Sequence, residues 1–193
     1  MRLLMCLAAA VAALPPGPPQ EQKPQHPPYV VTVTAKTKFA RWKETYAEFK
    51  DRVKKAMPLA QLIGREAVPN DNAGWERWRF EVSADSKLDI GLFPRVFGDM
   101  KVGKMELAIQ GEAVVDMKTK IIMLTSFGEK VKVKLMNRPK KDVNDVPENQ
   151  VAKILEEITG GKKHFSVSGE VFSHGGQLAI FLDTFNAVSP PAK

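Results

Sequence analysis

The chain has 193 residues and carries 29 Lys and Arg against 22 Asp and Glu, a formal net charge of +7 at pH 7. This excess of cations favours an anionic partner over neutral sugars, and lipid headgroups, acidic polymers and acidic proteins are the candidates. The sequence contains a single Cys, so a disulfide framework is excluded.

The N-terminal residues have the composition of an export signal. One Arg precedes an apolar run from Leu3 to Leu14, and an Ala-Val-Ala triplet at 10–12 supplies the small residues that signal peptidase needs. As a helix, the run reaches only about 18 Å, against about 30 Å of hydrocarbon, so we expect cleavage rather than a retained anchor. We therefore predict a signal peptide at 1–13, no transmembrane segment after its removal, and a periplasmic or extracellular location.

Proline dominates the next segment. The stretch LPPGPPQEQKPQHPPY offers almost no side chain that could pack, so we predict a disordered, Pro-rich linker at 14–28, with a ligand for a partner's groove as the alternative. The remainder indicates a single α+β domain at 29–188 and a frayed tail at 189–193. A domain of about 160 residues buries roughly 70% of its unfolded surface, enough to fold without disulfides.

The first half of this domain predicts strands and one helix. YVVTVTA at 29–35 is typical of a strand, and WERWRFEVS at 75–83 alternates as a half-buried strand does. Apolar residues spaced by three and four predict a helix at about 38–57, ended by Pro58, with a further turn at 59–64. Its aromatic stripe is either core or a membrane-surface face. Leu88 to Leu92 predicts another strand.

Two stretches of equal length resemble each other at an offset of 58 positions. IQGEAVVDMKTKIIMLTSF at 109–127 and VSGEVFSHGGQLAIFLDTF at 167–185 share five identical positions, among them Gly111 with Gly169. Both patterns predict β-hairpins, at 105–127 and 164–186, in which each glycine marks a bulge or a sharp coil. Similarity at this level fits either an internal duplication or the shared demands of two hairpins.

A third hairpin is predicted at 121–135. Phe127-Gly128-Glu129-Lys130 suits a two-residue type II′ turn, which sets Leu124 opposite Val133 and Met123 opposite Lys134. One face is then aliphatic core, and the other carries a row of lysines. After it, an N-cap at Asp145 and a stripe of aliphatic residues predict a helix at about 146–159.

These elements predict an α+β fold: a curled, mostly antiparallel sheet of seven to nine strands with two packed helices. Strands joined by short turns, with the helices in two separate places, argue against alternating βαβ units.

The lysine row is the candidate anion-binding site. Its residues could hold phosphates or carboxylates, or could form a solvated strand face that discourages edge-to-edge aggregation. The candidate residues are Lys118, Lys120, Lys130, Lys132, Lys134, Lys140 and Lys141, with Arg138 in the same basic region. A second candidate is the aromatic and basic surface Trp75, Arg77 and Arg79, which could stack on bases or sugars; alternatively, Trp75 packs against the first helix.

No catalytic, metal or nucleotide signature is present in the sequence. The histidines lack a second ligand at metal spacing, 142–145 fails as a calcium loop, and no cofactor or metal is expected. Asp183 is the carboxyl whose pKa apolar neighbours could raise. The sequence favours an exported, non-catalytic binding or envelope-associated module for an anionic envelope component or acidic protein, with nucleic acid disfavoured by export. A carrier of an apolar ligand in a cavity of the sheet, and an enzyme of unrecognised type, are the alternatives.

One motif resembles a known barrel. Val167-x-Gly169-x-Val171 followed by Leu182-Asp183 resembles the opening hairpin of an oligonucleotide/oligosaccharide-binding barrel. That barrel needs three further strands, and only eight residues follow Phe185, so the later hairpin cannot begin one. The earlier hairpin has Leu124-Thr125 at the position of the pair and enough chain behind it.

Overall fold

The computed structural model describes residues 27–36, 44–69, 74–119, 121–140 and 149–190. The predicted signal peptide, most of the predicted linker and the end of the tail lie outside these ranges. The elements, in chain order, are β1 Tyr29–Lys36, α1 Tyr46–Ala56, β2 Ala60–Ala67, β3 Trp75–Val82, α2 Leu92–Phe97, β4 Lys101–Asp116, β5 Ile121–Ser126, β6 Val131–Met136, α3 Gln150–Thr159, β7 His164–His174 and β8 Gln177–Ala187.

The first six elements form a four-stranded antiparallel layer with the order β2-β3-β1-β4. Helix α1 connects β1 to β2 and helix α2 connects β3 to β4, so each helical connection skips one strand. This connectivity is the ferredoxin-like, split βαβ arrangement. The alternation of β1 explains its place in the layer, since Tyr29, Val31 and Val33 are buried while the residues between them face outward.

Helix α1 covers this layer through the predicted stripe. Phe49 and Val53 are buried, and the ring of Phe49 lies 4.7 Å from that of Trp78 on β3. The stripe is therefore core. The predicted start at 38 is wrong, because Thr45 caps the helix and forms a capping box with Glu48, so the helix begins at Tyr46.

Two other expectations for this half are also wrong. The segment after Pro58 is the strand β2 and not a further turn of helix. Leu88 to Leu92 contains no strand; instead the chain forms a third helix, α2, which buries Phe93, Val96 and Phe97. Strand β2 is ordered by its antiparallel pairing with β3, and α2 by the packing of its aromatic side chains against α1 and β3; local spacing shows neither contact.

The second half closes into a barrel of five strands. Strand β4 pairs with β5, β5 with β6, β6 with β8, β8 with β7, and β7 pairs back with β4. The β6–β8 pair is parallel and the others are antiparallel. The α+β character of the fold is confirmed, but the predicted curled sheet with two helices is only a loose description, because five strands close on one another and the described ranges contain three helices.

The connectivity of these five strands, with α3 between the third and the fourth, is that of an oligonucleotide/oligosaccharide-binding barrel. The earlier of the two similar hairpins provides its first and second strands, β4 and β5. The later hairpin provides its last two, β7 and β8. The resemblance carried by Val167, Gly169 and Val171 thus falls on the closing hairpin of the barrel and not on the opening one.

Strand β4 belongs to both halves of the molecule. Leu107 is paired with Val31 of β1 and with Gly169 of β7, so these two strands lie on opposite edges of β4. From Glu112 onward, β5 takes the place of β1. The predicted hairpin at 105–127 is therefore a hairpin only from Glu112, since the first part of β4 pairs with β1 and β7.

Gly111 and Gly169 lie where their strands approach the backbone of a neighbouring strand closely. A Cβ on Gly111 would lie 2.5 Å from the carbonyl oxygen of Thr125, and one on Gly169 would overlap the carbonyl oxygen of Phe181. The register of β7 and β8 shifts at Gly169, where Asp183 is the additional residue. The bulge that the sequence predicted is confirmed there.

The predicted register of the hairpin at 121–135 and the predicted turn of the hairpin at 164–186 agree with the structure. Met123 is paired with Lys134 and Leu124 with Val133, as predicted, and Gly175-Gly176 forms the tight turn between β7 and β8. The type II′ turn is wrong, because Phe127 takes a left-handed backbone conformation and a short 3-10 turn follows it. Helix α3 begins at Gln150 with Asn149 as its N-cap, and the predicted cap Asp145 lies outside the described residues.

The interior of the barrel is filled by side chains from all of its strands. These include Leu107, Ile109, Ile122, Leu124, Val133, Leu135, Phe165, Val167, Ile180 and Leu182, each of which is at most 3% exposed. They join the side chains under α1 in one hydrophobic cluster. None of the helices in the described ranges combines the length and the apolar character needed to cross a bilayer.

Candidate functional site

The predicted lysine row lies on the outside of the barrel. Because Ile122 and Leu124 of β5 point inward, as do Val131, Val133 and Leu135 of β6, the residues between them point outward. The outward residues of β5, β6 and β8 form what we call the lysine face: Met123, Thr125, Lys132, Lys134, Met136 and Phe181.

Apolar side chains surround the central lysine of this face. Lys134 is paired with Met123 on one side and with Ala179 on the other, and Met136 is paired with Phe181. The ring of Phe181 stacks on Phe172 of β7, with centroids 4.2 Å apart. Except for Ala179, which is buried, these side chains are half-buried, so the lysine face combines positive charge with apolar surface.

The lysines of the row differ in how far their charge is neutralised. Lys130 pairs with Asp85 at 3.5 Å, and Lys132 pairs with Glu129 at 2.9 Å, which lowers the pKa of the Glu129 carboxyl. Lys134 has no ion pair within the described ranges. Among these three lysines, Lys134 is therefore the one whose charge no described carboxylate neutralises.

The remaining candidates lie at the margins or outside the description. Lys118 is exposed in the β4–β5 turn, where Asp116 accepts a hydrogen bond from its backbone N–H at 2.9 Å. A hydrogen bond from the Thr119 side chain and those from the turn backbone hold the pKa of Asp116 below its usual value. Lys140 is exposed beyond β6, while Lys120 and Lys141 lie outside the described residues.

Arg138 does not belong to the lysine face, although the sequence places it in the same basic region. Its guanidinium lies 2.6 Å from Asp183 and 3.1 Å from Glu170, and so joins the end of β6 to both strands of the closing hairpin. Partial burial lowers the pKa of Arg138, but its hydrogen bonds to the two carboxylates outweigh that effect and raise it. Asp183 therefore lies among cations, Lys104 included at 3.9 Å, and not in the expected apolar neighbourhood.

The aromatic and basic candidates share the outward face of β3. Trp75 is half-buried and its indole crosses the neighbouring strand to lie against Gly103 of β4, where a Cβ would be 2.8 Å from the ring. Arg77 lies 3.9 Å from Glu66, and Arg79 is exposed. The tryptophan that packs against the first helix is Trp78, not Trp75.

Two pockets on the described surface lie outside the barrel. One, lined mainly by apolar side chains, has a volume of about 160 Å³ and lies between the end of α1 and α2. A polar pocket of about 220 Å³ lies over the bulge at Gly169, lined by Thr32, Glu106 and Asp183 among others. The filled barrel interior lends no support to a carrier of an apolar ligand.

No group of three or more His, Cys, Asp or Glu side chains within the described ranges is placed to hold a metal ion. No protein-family model, curated protein or solved structure matches the chain. A shared barrel connectivity does not determine function, so the chemistry of the surface is what indicates it.

Proposed function

We propose that the chain is an exported, non-catalytic binding module whose lysine face binds an anionic partner. The observation that carries this proposal is the pairing of Met123 with Lys134, which sets an unneutralised cation among apolar side chains in the middle of an exposed sheet. In barrels of this connectivity, the outer face of the second and third strands is the common ligand surface, and here those strands are β5 and β6.

Charge and apolar surface have different roles in such an interface. Lys132 and Lys134 attract anionic groups over a distance of about a Debye length, roughly 10 Å at 0.1 M salt. Met136 and the stacked pair Phe172 and Phe181 offer apolar contact once the partner has arrived. An anionic envelope surface or acidic polymer, which presents repeated negative groups, matches this arrangement better than a neutral ligand does.

The test is retention on an anionic surface at two salt concentrations. Wild-type protein is mixed with vesicles containing one third phosphatidylglycerol, or with an insoluble polyuronate, and the bound fraction is measured at 50 and 500 mM NaCl. We expect binding that weakens at high salt and is reduced in Lys134→Glu. Lys50→Glu is the matched control, because it changes the net charge equally at an exposed position of α1, the helix that covers the β2-β3-β1-β4 layer.

Binding that is absent, insensitive to salt, or equally reduced by both charge reversals contradicts the proposal. The last outcome shows attraction by net charge alone, without a defined face.

A further inference from the structure

A second set of cations and an aromatic ring lie on the outward face of the ferredoxin-like layer. Trp75 of β3 is paired with Lys36 of β1, and Lys36 is paired in turn with Lys101 of β4. The three side chains thus occupy one row across three neighbouring strands, at the end of the layer where β4 begins.

The indole of Trp75 packs against the backbone of Gly103. Trp75 reaches over β1 to Gly103, and a Cβ at that position would be 2.8 Å from Cζ3 and 3.2 Å from Cη2 of the ring. Only a residue without a side chain lets the ring approach the β4 backbone this closely. The ring is held on the sheet surface, half-buried, instead of being folded into the core beside Trp78.

The pairing of Lys36 with Lys101 is not explained by contacts within the described part of the fold. Like charges at directly paired positions of antiparallel strands destabilise the pair. Neither Lys36 nor Lys101 has an ion pair with another described residue, whereas the nearby Lys104 lies 2.6 Å from Glu106. An anion bound between Lys36 and Lys101 would remove this repulsion.

We propose that Trp75, Lys36 and Lys101 form a binding site for an acidic sugar chain. The C–H face of one pyranose ring packs on the indole, and its carboxylates or sulfates contact the two lysines. Thr32 and Thr34, which face outward on β1, offer hydroxyls to the sugar. A single nucleic-acid strand stacks successive bases on successive rings, and Trp75 is the one aromatic residue among the outward, described residues of β1, β3 and the first part of β4.

This site does not use the lysine face, and so it is independent of the function proposed above. Lys134→Glu leaves the Trp75 site intact, and Trp75→Ala leaves the lysine face intact.

The experiment measures the affinity of full-length protein for a galacturonate hexamer by calorimetry. The comparison ligands are maltohexaose, which is uncharged, and a thymidylate hexamer, which carries phosphates and bases. We expect the galacturonate hexamer to bind tightest, Trp75→Ala to weaken it about tenfold or more, and Trp75→Phe to retain most of the affinity. Lys36→Ala and Lys101→Ala each weaken it, whereas the exposed Lys87→Ala does not.

Thermal unfolding of each variant shows whether it is folded, and Trp75→Phe remains informative if Trp75→Ala is not. The proposal is overturned if the galacturonate hexamer does not bind, if folded Trp75→Ala binds it as wild type does, or if maltohexaose binds equally well. Tighter binding of the thymidylate hexamer assigns the site to nucleic acid and also overturns it.

Discussion

Ile109 of β4 and Val167 of β7, the residues that open the two similar stretches, are paired directly opposite each other inside the barrel. Both are almost fully buried. The pairs on either side are also equivalent at the offset of 58 positions. Gly111 is paired with Phe165, and their equivalents Gly169 and Leu107 are paired with each other. The similar stretches therefore meet each other through equivalent positions, as two halves related by a local twofold axis would.

The return strands do not continue this symmetry. Ala113 is paired with Leu124 in the earlier hairpin, but Val171 is paired with Ile180 in the later one, two positions from the equivalent residue. The later turn has only Gly175 and Gly176 between its paired ends. Each copy is thus adapted to different neighbours, with β5 beside β6 and β8 between β6 and β7.

The bulge glycine predicts a large effect on stability. A methyl group at Gly169 overlaps the Phe181 carbonyl, so Gly169→Ala must shift backbone and is expected to cost about 3 kcal/mol. Gly64→Ala is the matched control, because its Cβ would make ordinary contacts of 3.8 Å with Arg79. Denaturant unfolding measures both variants, and a Gly169→Ala protein as stable as wild type contradicts the close approach of β7 and β8.

The aromatic cluster under α1 predicts a second stability difference. Phe49 contacts Trp78 and Phe97 with ring centroids 4.7 and 5.4 Å away. Phe49→Ala leaves a cavity between helix and sheet and is expected to cost about 3–5 kcal/mol. Tyr46→Ala, at a position 39% exposed on the same helix, serves as the control and should cost much less. Equal losses in the two variants refute the buried role of Phe49.

The N-terminus of α1 predicts a dependence on acid. The Thr45 backbone and side chain donate hydrogen bonds to Glu48, which lowers the pKa of this carboxyl. A lowered pKa in the folded state means that the contribution is present above the ordinary pKa of Glu and is lost as the pH falls through the folded value. We expect Glu48→Gln to be less stable than wild type at pH 6 and to approach it at pH 3, in unfolding measurements at both values.

The same cap predicts a change that does not depend on pH in the neutral range. Thr45→Ala removes the hydroxyl that accepts the Glu48 N–H, and is expected to cost about 1 kcal/mol. Thr45→Ser retains that acceptor and should be close to wild type. A fully stable Thr45→Ala protein contradicts Tyr46 as the start of α1.

Tyr29 predicts a loss of stability in alkali. Burial raises the pKa of its phenol, whose hydroxyl donates to the Ala84 carbonyl at 3.4 Å. A raised pKa means that stability is constant below the unfolded value near 10 and falls as the pH rises above it. Unfolding free energies between pH 8 and 11 should show this decline in wild type and a smaller one in Tyr29→Phe. Parallel curves for the two proteins would be inconsistent with a buried phenol.

Local sequence patterns were sufficient to predict strand pairing and helix capping where the interacting residues are close in the chain. The pairing of Met123 with Lys134 follows from alternation and a short connection, even though the turn around Phe127 takes another form. Thr45 and Glu48 display the capping box openly in the sequence, so the start of α1 could have been predicted from this signal.

Closure of the barrel could not be predicted in this way. It depends on the parallel pairing of β6 with β8 and on that of β4 with β7, between segments separated by a helix. The local spacing of residues does not reveal the ion pairs of Arg138 with Asp183 and Glu170. It also does not reveal the contact of the Trp75 indole with Gly103. The prediction therefore placed Arg138 with the lysines on the basis of charge alone, although in the fold it lies apart from the lysine face.

Strand β4 is shared by the two architectures, so a cut within it leaves neither piece with all of its strand partners. A fragment ending at Ala108 would lack the β7 partner of its last strand, and one beginning at Lys101 would expose the edge that β1 covers. We therefore expect the layer and the barrel to unfold in one cooperative thermal transition. A ligand that binds to either of them should raise the melting temperature of both.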